Sequence, residues 1–236
     1  MASWQKLEGQ FKSALNLTQR PVSISFLDAV PADVPRIEGS QPSGCSYWRL
    51  AAGGKVFHTL PMDHFNCAVG AYVHNIDLSP ERAGETEETL KLMFGVGYIR
   101  PEDVPGIPRL KKAPVATVYA PLGAAPFAPS VVMFACKPGS AMLLNEAAMR
   151  AGSGGSFPLL GRPTCMSLPA SLEKGTVSSL GCIGNRVYTG LSEDDLYTAV
   201  PGADIEKVAA ALSIIVSANH ALQEYAQGRR AQLSTM

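Results

Sequence analysis

Val22-Ser-Ile-Ser-Phe-Leu27 alternates apolar and polar side chains from Val22 to Phe26, the period of two of a half-buried β-strand. Pro21 opens it. Upstream, Trp4, Leu7, Phe11, Ala14 and Leu15 recur at helical spacing, so residues 3–16 predict an amphipathic helix. Downstream, the proline-bearing residues 29–42 read as a loop. Ser43 then caps a short helix over 44–52, closed by Gly53-Gly54. Lys55–Leu60 reads as another strand. Asn66 is positioned to cap a helix carrying Cys67, Val69, Tyr72 and Val73, with Gly70 weakening it.

Residues 79–88 are polar, and the acidic run Glu81–Glu88 reads as a solvated face. Thr86 starts a helix ending at Gly95. The proline-rich stretch from Arg100 to Pro114 is the best candidate for an interior boundary. Val115–Ala120 and Val131–Cys136 are apolar strand-like runs. Ser140 caps a helix over 141–151, stopped by Gly152-Ser-Gly-Gly155. Thr176–Ser179, Arg186–Thr189 and Tyr197–Val200 read as short strands. Asp204 caps the clearest helix, where Ile205, Val208, Leu212, Ile215, Val216 and Leu222 keep one face apolar, and the last eight residues read as a polar tail.

This alternation predicts one α/β (or α+β) domain over residues 1–236, with mixed sheets flanked by helices. A faint internal echo divides it. Strand, helix, glycine turn and cysteine follow one another through 22–27, 44–52 and Cys67, then through 131–136, 141–151 and Cys165. Two related half-domains, 1–112 and 113–236, are the corresponding expectation.

Of the 236 residues, 46 % are hydrophobic and 17 % charged, which describes a globular chain with a real core. Twenty basic residues balance twenty acidic ones, and no basic stripe interleaves with aromatics, so nucleic acid is not an expected partner. The polar N-terminal segment does not resemble a secretory signal, and no apolar run approaches the ~20 residues of a membrane span. The expectation is a cytoplasmic protein with no membrane partner, with a small-molecule ligand and a homo-oligomer both compatible with the chain.

Five cysteines carry the chemistry that is legible. Cys45, Cys67, Cys165 and Cys182 lie beside turn-forming residues, where a thiol can reach solvent, metal or substrate. Cys136 ends an apolar run and reads as packing. No pair is spaced CxxC, and an odd count in a reducing compartment argues for free or metal-bound thiols.

Four stretches carry a resemblance: Pro21-Val-Ser-Ile-Ser-Phe; Cys45 with Asp63-His-Phe-Asn-Cys67-Ala-Val-Gly-Ala-Tyr72; Pro114-Val-Ala-Thr-Val-Tyr-Ala-Pro-Leu122; and Ser179-Leu-Gly-Cys182-Ile-Gly-Asn-Arg186. In that order they resemble the DUF169 family, whose members are uncharacterised, with the likeness running from about residue 7 to 212. The resemblance implies that Cys45, Cys67, Cys165 and Cys182 stand where the family's recurrent cysteines stand. It implies no activity.

Four readings follow for those thiols. The leading one is an iron–sulfur cluster, of the [4Fe–4S] type, ligated by Cys45, Cys67, Cys165 and Cys182. An open iron would allow reductive or Lewis-acid work on a small molecule; full ligation would favour sensing or electron transfer. His64 then serves as a proton-transfer residue. Zinc, held by the four thiolates or by three with His64, is the second. A metal-free thiol enzyme is the third, with Cys67 as nucleophile and His64 as base. A tetrapyrrole-binding or sensor protein using His58, His64 or His74 is the fourth. Whether the protein is an enzyme is left open.

The remaining signals read as structure. His220 lies in the long C-terminal helix, and His74 at a helix end, where the C-terminal dipole favours it. Gly95-Val-Gly97-Tyr lacks the third glycine of a dinucleotide loop. Arg186 reads as a structural cation.

Overall fold

The computed structural model of the chain describes residues 4–154 and 159–234. The first elements are helix α1 (Trp4–Leu15), strand β1 (Val22–Leu27), helix α2 (Gly44–Ala52), strand β2 (Phe57–Thr59), helix α3 (Ala68–Val73) and helix α4 (Pro80–Gly95). Then come β3 (Ala116–Pro121), β4 (Val131–Cys136), α5 (Pro138–Arg150), the two-residue β5 (Leu159–Leu160) and α6 (Ser167–Lys174). The chain closes with β6 (Val177–Ser179), α7 (Ile183–Thr189), β7 (Leu196–Pro201) and α8 (Ile205–Ser234).

One seven-stranded sheet, in the order β2-β3-β1-β4-β7-β6-β5, organises them. Every neighbouring pair is antiparallel except β5 with β6. The architecture is therefore α+β. A single sheet takes the place of several. It also crosses the division at residue 112, because β3 lies between β2 and β1.

The central strands explain the layering. On β4, Val131 and Met133 point to one face, while Val132 and Phe134 point to the other. The first face packs against α2, α3 and α6 through Tyr47, Trp48, Val73, Leu168 and Ala170. The second packs against α1, α5 and α8 through Phe11, Leu15, Leu144, Ala148, Val208 and Leu212, and Phe11 meets Phe134 edge-on at 4.9 Å. The helix after β1 thus lies on one face of the sheet and the helix after β4 on the other.

β1 departs from a half-buried strand. Its serines, Ser23 and Ser25, are as buried as Val22 and Ile24, because the sheet is covered on both sides. Ser25 meets the cost of burial by donating to the Ala128 carbonyl at 3.2 Å.

Several boundaries differ from the expectations. α3 is capped by Cys67 itself, whose Sγ accepts from the Gly70 N–H at 3.2 Å, where the sequence suggested Asn66. α4 starts six residues before Thr86, with Pro80 at its first turn. α5 likewise begins at Pro138, and Ser140 lies inside it, donating to the Leu15 carbonyl at 2.8 Å. Arg186–Thr189 is the end of helix α7 and not a strand: Gly190 closes it at φ 66°. The expected polar tail is helical through Ser234; residues 235–236, Gly155 and residue 3 lie outside the described residues.

α8 has an 18-residue window long and apolar enough for a membrane span by length and composition alone. Its residues Ile205, Val208, Ala209 and Leu212 pack into the core, while only 28 % of that window is buried and Ile214 and Leu222 are exposed.

Candidate functional site

The cysteine-bearing turns all lie on the sheet face covered by α2, α3 and α6. Cys45 occupies the first turn of α2, and Cys67 is the N-cap of α3. Cys165 lies in the single 3-10 turn Thr164–Met166 that leads into α6, and Cys182 is the N-cap of α7. Four helix starts thus present a sulfur each. The turns are tied together, because the Cys182 N–H donates to the Thr164 hydroxyl at 2.5 Å.

All four cysteines line one cavity of about 340 Å³. Its other walls come from the C-terminal half of α4 (Leu92, Met93), from Val96, Tyr98 and Ile99, and from Ile183 and Tyr188 of α7. Cys45 and Cys165 are buried at 5 % exposure, whereas Cys67 and Cys182 are partly open. Cys136 is elsewhere, packed with Ala141 and Leu196 against the other helices, and burial pushes its thiol up to about 12.

Burial is also the largest influence on the clustered thiols. It raises Cys45 and Cys67, and it raises Cys165 well above the ordinary thiol range. The second influence is mutual. Cys45 is raised further by Cys67 and Cys182, and Cys165 by Cys45, Cys67 and Cys182. Burial and mutual repulsion thus both favour the thiol form at Cys45 and Cys165. Backbone N–H groups of Gly70, Gly44 and Val69 oppose the rise at Cys67.

Asn185 completes the inner wall. It is 1 % exposed; its amide makes no well-formed hydrogen bond among the described residues, but lies close enough to the Cys45 thiol and the Tyr197 hydroxyl to favour their ionised forms. Leaving an amide buried and unpaired costs roughly 1–3 kcal/mol. Its place on α7, three residues after Cys182, sets both on one helical face. Arg162 stands exposed at the mouth, its guanidinium 4.4 Å from the Tyr98 ring centroid. Neither residue is signalled by spacing alone. Arg162 comes just before Thr164-Cys165, and Asn185 lies in the stretch that carries Cys182.

The histidines lie away from this cavity. His64 is buried, with Nε2 3.0 Å from the Thr59 hydroxyl and its ring tilted against His74 at 5.1 Å between centroids. Burial, then His74, lowers its pKa well below the usual value. The Cys67 N–H donates to the His64 carbonyl at 3.4 Å, but among the described residues no hydrogen bond joins the imidazole to the sulfur, which is met by the Gly70 N–H instead. His58 is held through Nδ1 by the Val34 carbonyl at 2.8 Å, and His74 through Nδ1 by the Gly70 carbonyl at 2.8 Å. Neither lines the cavity. His220 is on the exposed part of α8. Arg186 is structural, donating to the carbonyls of Ser192, Leu180 and Asp195.

Among the described residues, no three His, Cys, Asp or Glu side chains are grouped tightly enough to hold one metal ion. One zinc ion at ~2.3 Å from each sulfur demands sulfurs ~4 Å apart. A four-iron cluster spreads its ligands over four irons and asks for a wider set.

An α+β domain whose helix starts direct four cysteines into one cavity is the class that fold and site define. The chain belongs to the DUF169 family, described as "Uncharacterised ArCR", which matches residues 10–211. It is 29 % identical over 161 residues to the "Uncharacterized protein MJ0308" of Methanocaldococcus jannaschii, covering 64 % of this chain and 67 % of that one. No solved structure matches the chain.

Proposed function

We propose that this protein ligates an iron–sulfur cluster of the [4Fe–4S] type through Cys45, Cys67, Cys165 and Cys182. One observation carries the reading: these four thiols, separated by up to 137 positions (182 − 45), line a single cavity while Cys136 does not. The donor set suits the group. Four sulfurs match four irons, and the Gly70 N–H already points at Cys67 Sγ.

Bound there, a fully ligated cluster would supply one-electron chemistry, which favours electron transfer or sensing over ligation of substrate at iron. The chain's residues would do the rest. Asn185 would offer its amide N–H to a sulfur, and Leu92, Val96 and Ile183 would limit water at the mouth. The nucleophile reading is weaker, because among the described residues Cys67 Sγ is hydrogen-bonded by the Gly70 N–H and by no His, Asp or Glu side chain.

The test is purification without oxygen, followed by absorption, iron and acid-labile sulfide measurements. Broad absorption near about 400 nm with about four irons per chain is the expected result. Serine at any of the four positions should cut bound iron at least several-fold, while Cys136→Ser should leave it unchanged. One zinc per chain without iron, or equal loss on Cys136→Ser, would overturn the reading.

A further inference from the structure

The cavity holds two polar groups that the cluster reading does not use fully. Arg162 makes no hydrogen bond or close ion pair to a described residue; its guanidinium lies over the Tyr98 ring. Several other arginines are paired with carboxylates. Arg20 pairs with Glu8 at 2.6 Å, Arg36 with Asp63 at 2.6 Å, and Arg100 with Asp103 at 2.6 Å. Asp103 is the carboxylate that feels Arg162, and Arg100 already occupies both its oxygens. Among the described residues, the cavity is lined by no Asp or Glu. An arginine without a carboxylate, stacked on an aromatic ring, is a ready anion receptor.

At the inner end, the Asn185 amide makes no well-formed hydrogen bond among the described residues and lies beside the Cys45 thiol and the Tyr197 hydroxyl. Between the two groups run apolar walls: Leu92, Met93, Val96 and Ile99 on one side, Ile183 and Tyr188 on the other. Leu92, Val96, Ile183 and Tyr188 are 64 %, 68 %, 60 % and 44 % exposed, an apolar rim of the kind that marks a ligand groove.

We propose that this cavity binds a small organic anion. Its carboxylate or phosphate pairs with Arg162 above Tyr98, its apolar body lies between α4 and α7, and a carbonyl or amide at its far end meets Asn185 beside the thiols. The inference deepens the cluster reading by naming the ligand class of the same site, yet it stands on residues other than the cysteines.

Four matched probes test it: 4-acetylbenzoate, 4-acetylphenyl phosphate, the neutral 4-acetylbenzamide, and 4-isopropylbenzoate, which keeps the shape but loses the carbonyl. Affinities are measured by calorimetry on full-length protein, both metal-free and reduced, and as purified without oxygen. One of the two anions should bind at least tenfold tighter than the amide, and which one names the head group. Arg162→Gln should erase that preference and keep the preference for acetyl over isopropyl. Asn185→Leu should do the reverse. Equal affinity for amide and anions, an anion preference surviving Arg162→Gln, or no binding up to about 10 mM would overturn the inference. Iron analysis of the same samples separates the two ideas. Anion preference without iron would sink only the cluster, and iron without anion preference only the ligand.

Discussion

The two faces of the sheet obey different rules. Behind α1, α5 and α8, apolar side chains interdigitate and Glu8, the buried acid there, is paired by Arg20 and by the Gly123 N–H at 2.6 Å. Behind α2, α3 and α6 the same sheet carries four thiols and most of the unsatisfied buried atoms. Of the buried side-chain atoms lacking a hydrogen bond among the described residues, His64 Nδ1, His74 Nε2, Tyr119 Oη and both Asn185 amide atoms lie on the cysteine side. The exception is Asn145 Oδ1, on α5. Departures from good packing gather where a fold does chemistry. Both faces are packed with apolar side chains, and most of the unsatisfied buried atoms gather on one of them.

The largest effect should come from the face behind α1, α5 and α8. Phe134 is fully buried against Phe11, so Phe134→Ala should cost about 3–5 kcal/mol in urea unfolding. Any protein that still folds should load iron as the parent does. Unaltered stability would mean that the core has been assigned to the wrong face.

Next in size is pH, which acts on the cysteine face. His64 and His74 are held below their ordinary pKa, the first by burial and then by His74, the second by burial. The native state keeps both neutral while the unfolded chain takes up protons below about 6.5, so their stabilisation is present above that pH and lost as pH falls. The thiols run the other way. Burial raises Cys45, Cys67 and Cys165, so the unfolded chain ionises first and stability is lost as pH climbs beyond about 8.5. Metal-free, reduced protein should be most stable between these limits and about 2 kcal/mol weaker at pH 5.5 than at pH 7.5. His64→Phe should roughly halve that acid loss. A profile flat from 7.5 to 5.5 would remove the contrast between faces.

The two faces also differed in how far the sequence disclosed them. Val22–Leu27, Gly44–Ala52 and Val131–Cys136 are strand, helix and strand at the boundaries their patterns suggest, because period and caps are local properties. The four turn-flanked cysteines were likewise separable from Cys136 by their neighbours, and they line one cavity. Arg186–Thr189 misled because Val187 and Tyr188 look strand-like, yet the left-handed Gly190 makes it a helix end. Arg162 and Asn185 were illegible as site residues. Their meaning lies in lacking well-formed hydrogen bonds, which only the assembled neighbours can show.

Asn185→Leu should then be a repair. It removes a buried amide that makes no well-formed hydrogen bond among the described residues, so stability should rise by about 1 kcal/mol while the preference for a carbonyl-bearing probe is lost. If the substitution destabilises, Asn185 is part of the scaffold, and the link between this face's unsatisfied atoms and chemistry loses its clearest residue.

The smallest effect is expected at the rim. Leu92 is 64 % exposed on α4, so Leu92→Ser should change unfolding stability by no more than about 0.5 kcal/mol. A surface leucine that serves no purpose would also leave binding untouched. One that walls a ligand groove should weaken binding of 4-acetylbenzoate by about threefold, because part of its apolar contact is withdrawn from the bound state alone. The same kind of change at Leu144, fully buried against α8, should instead unfold the chain without bearing on the cavity. A leucine felt in binding but not in folding, set against one felt in folding but not in binding, is what a division of labour between the two faces requires.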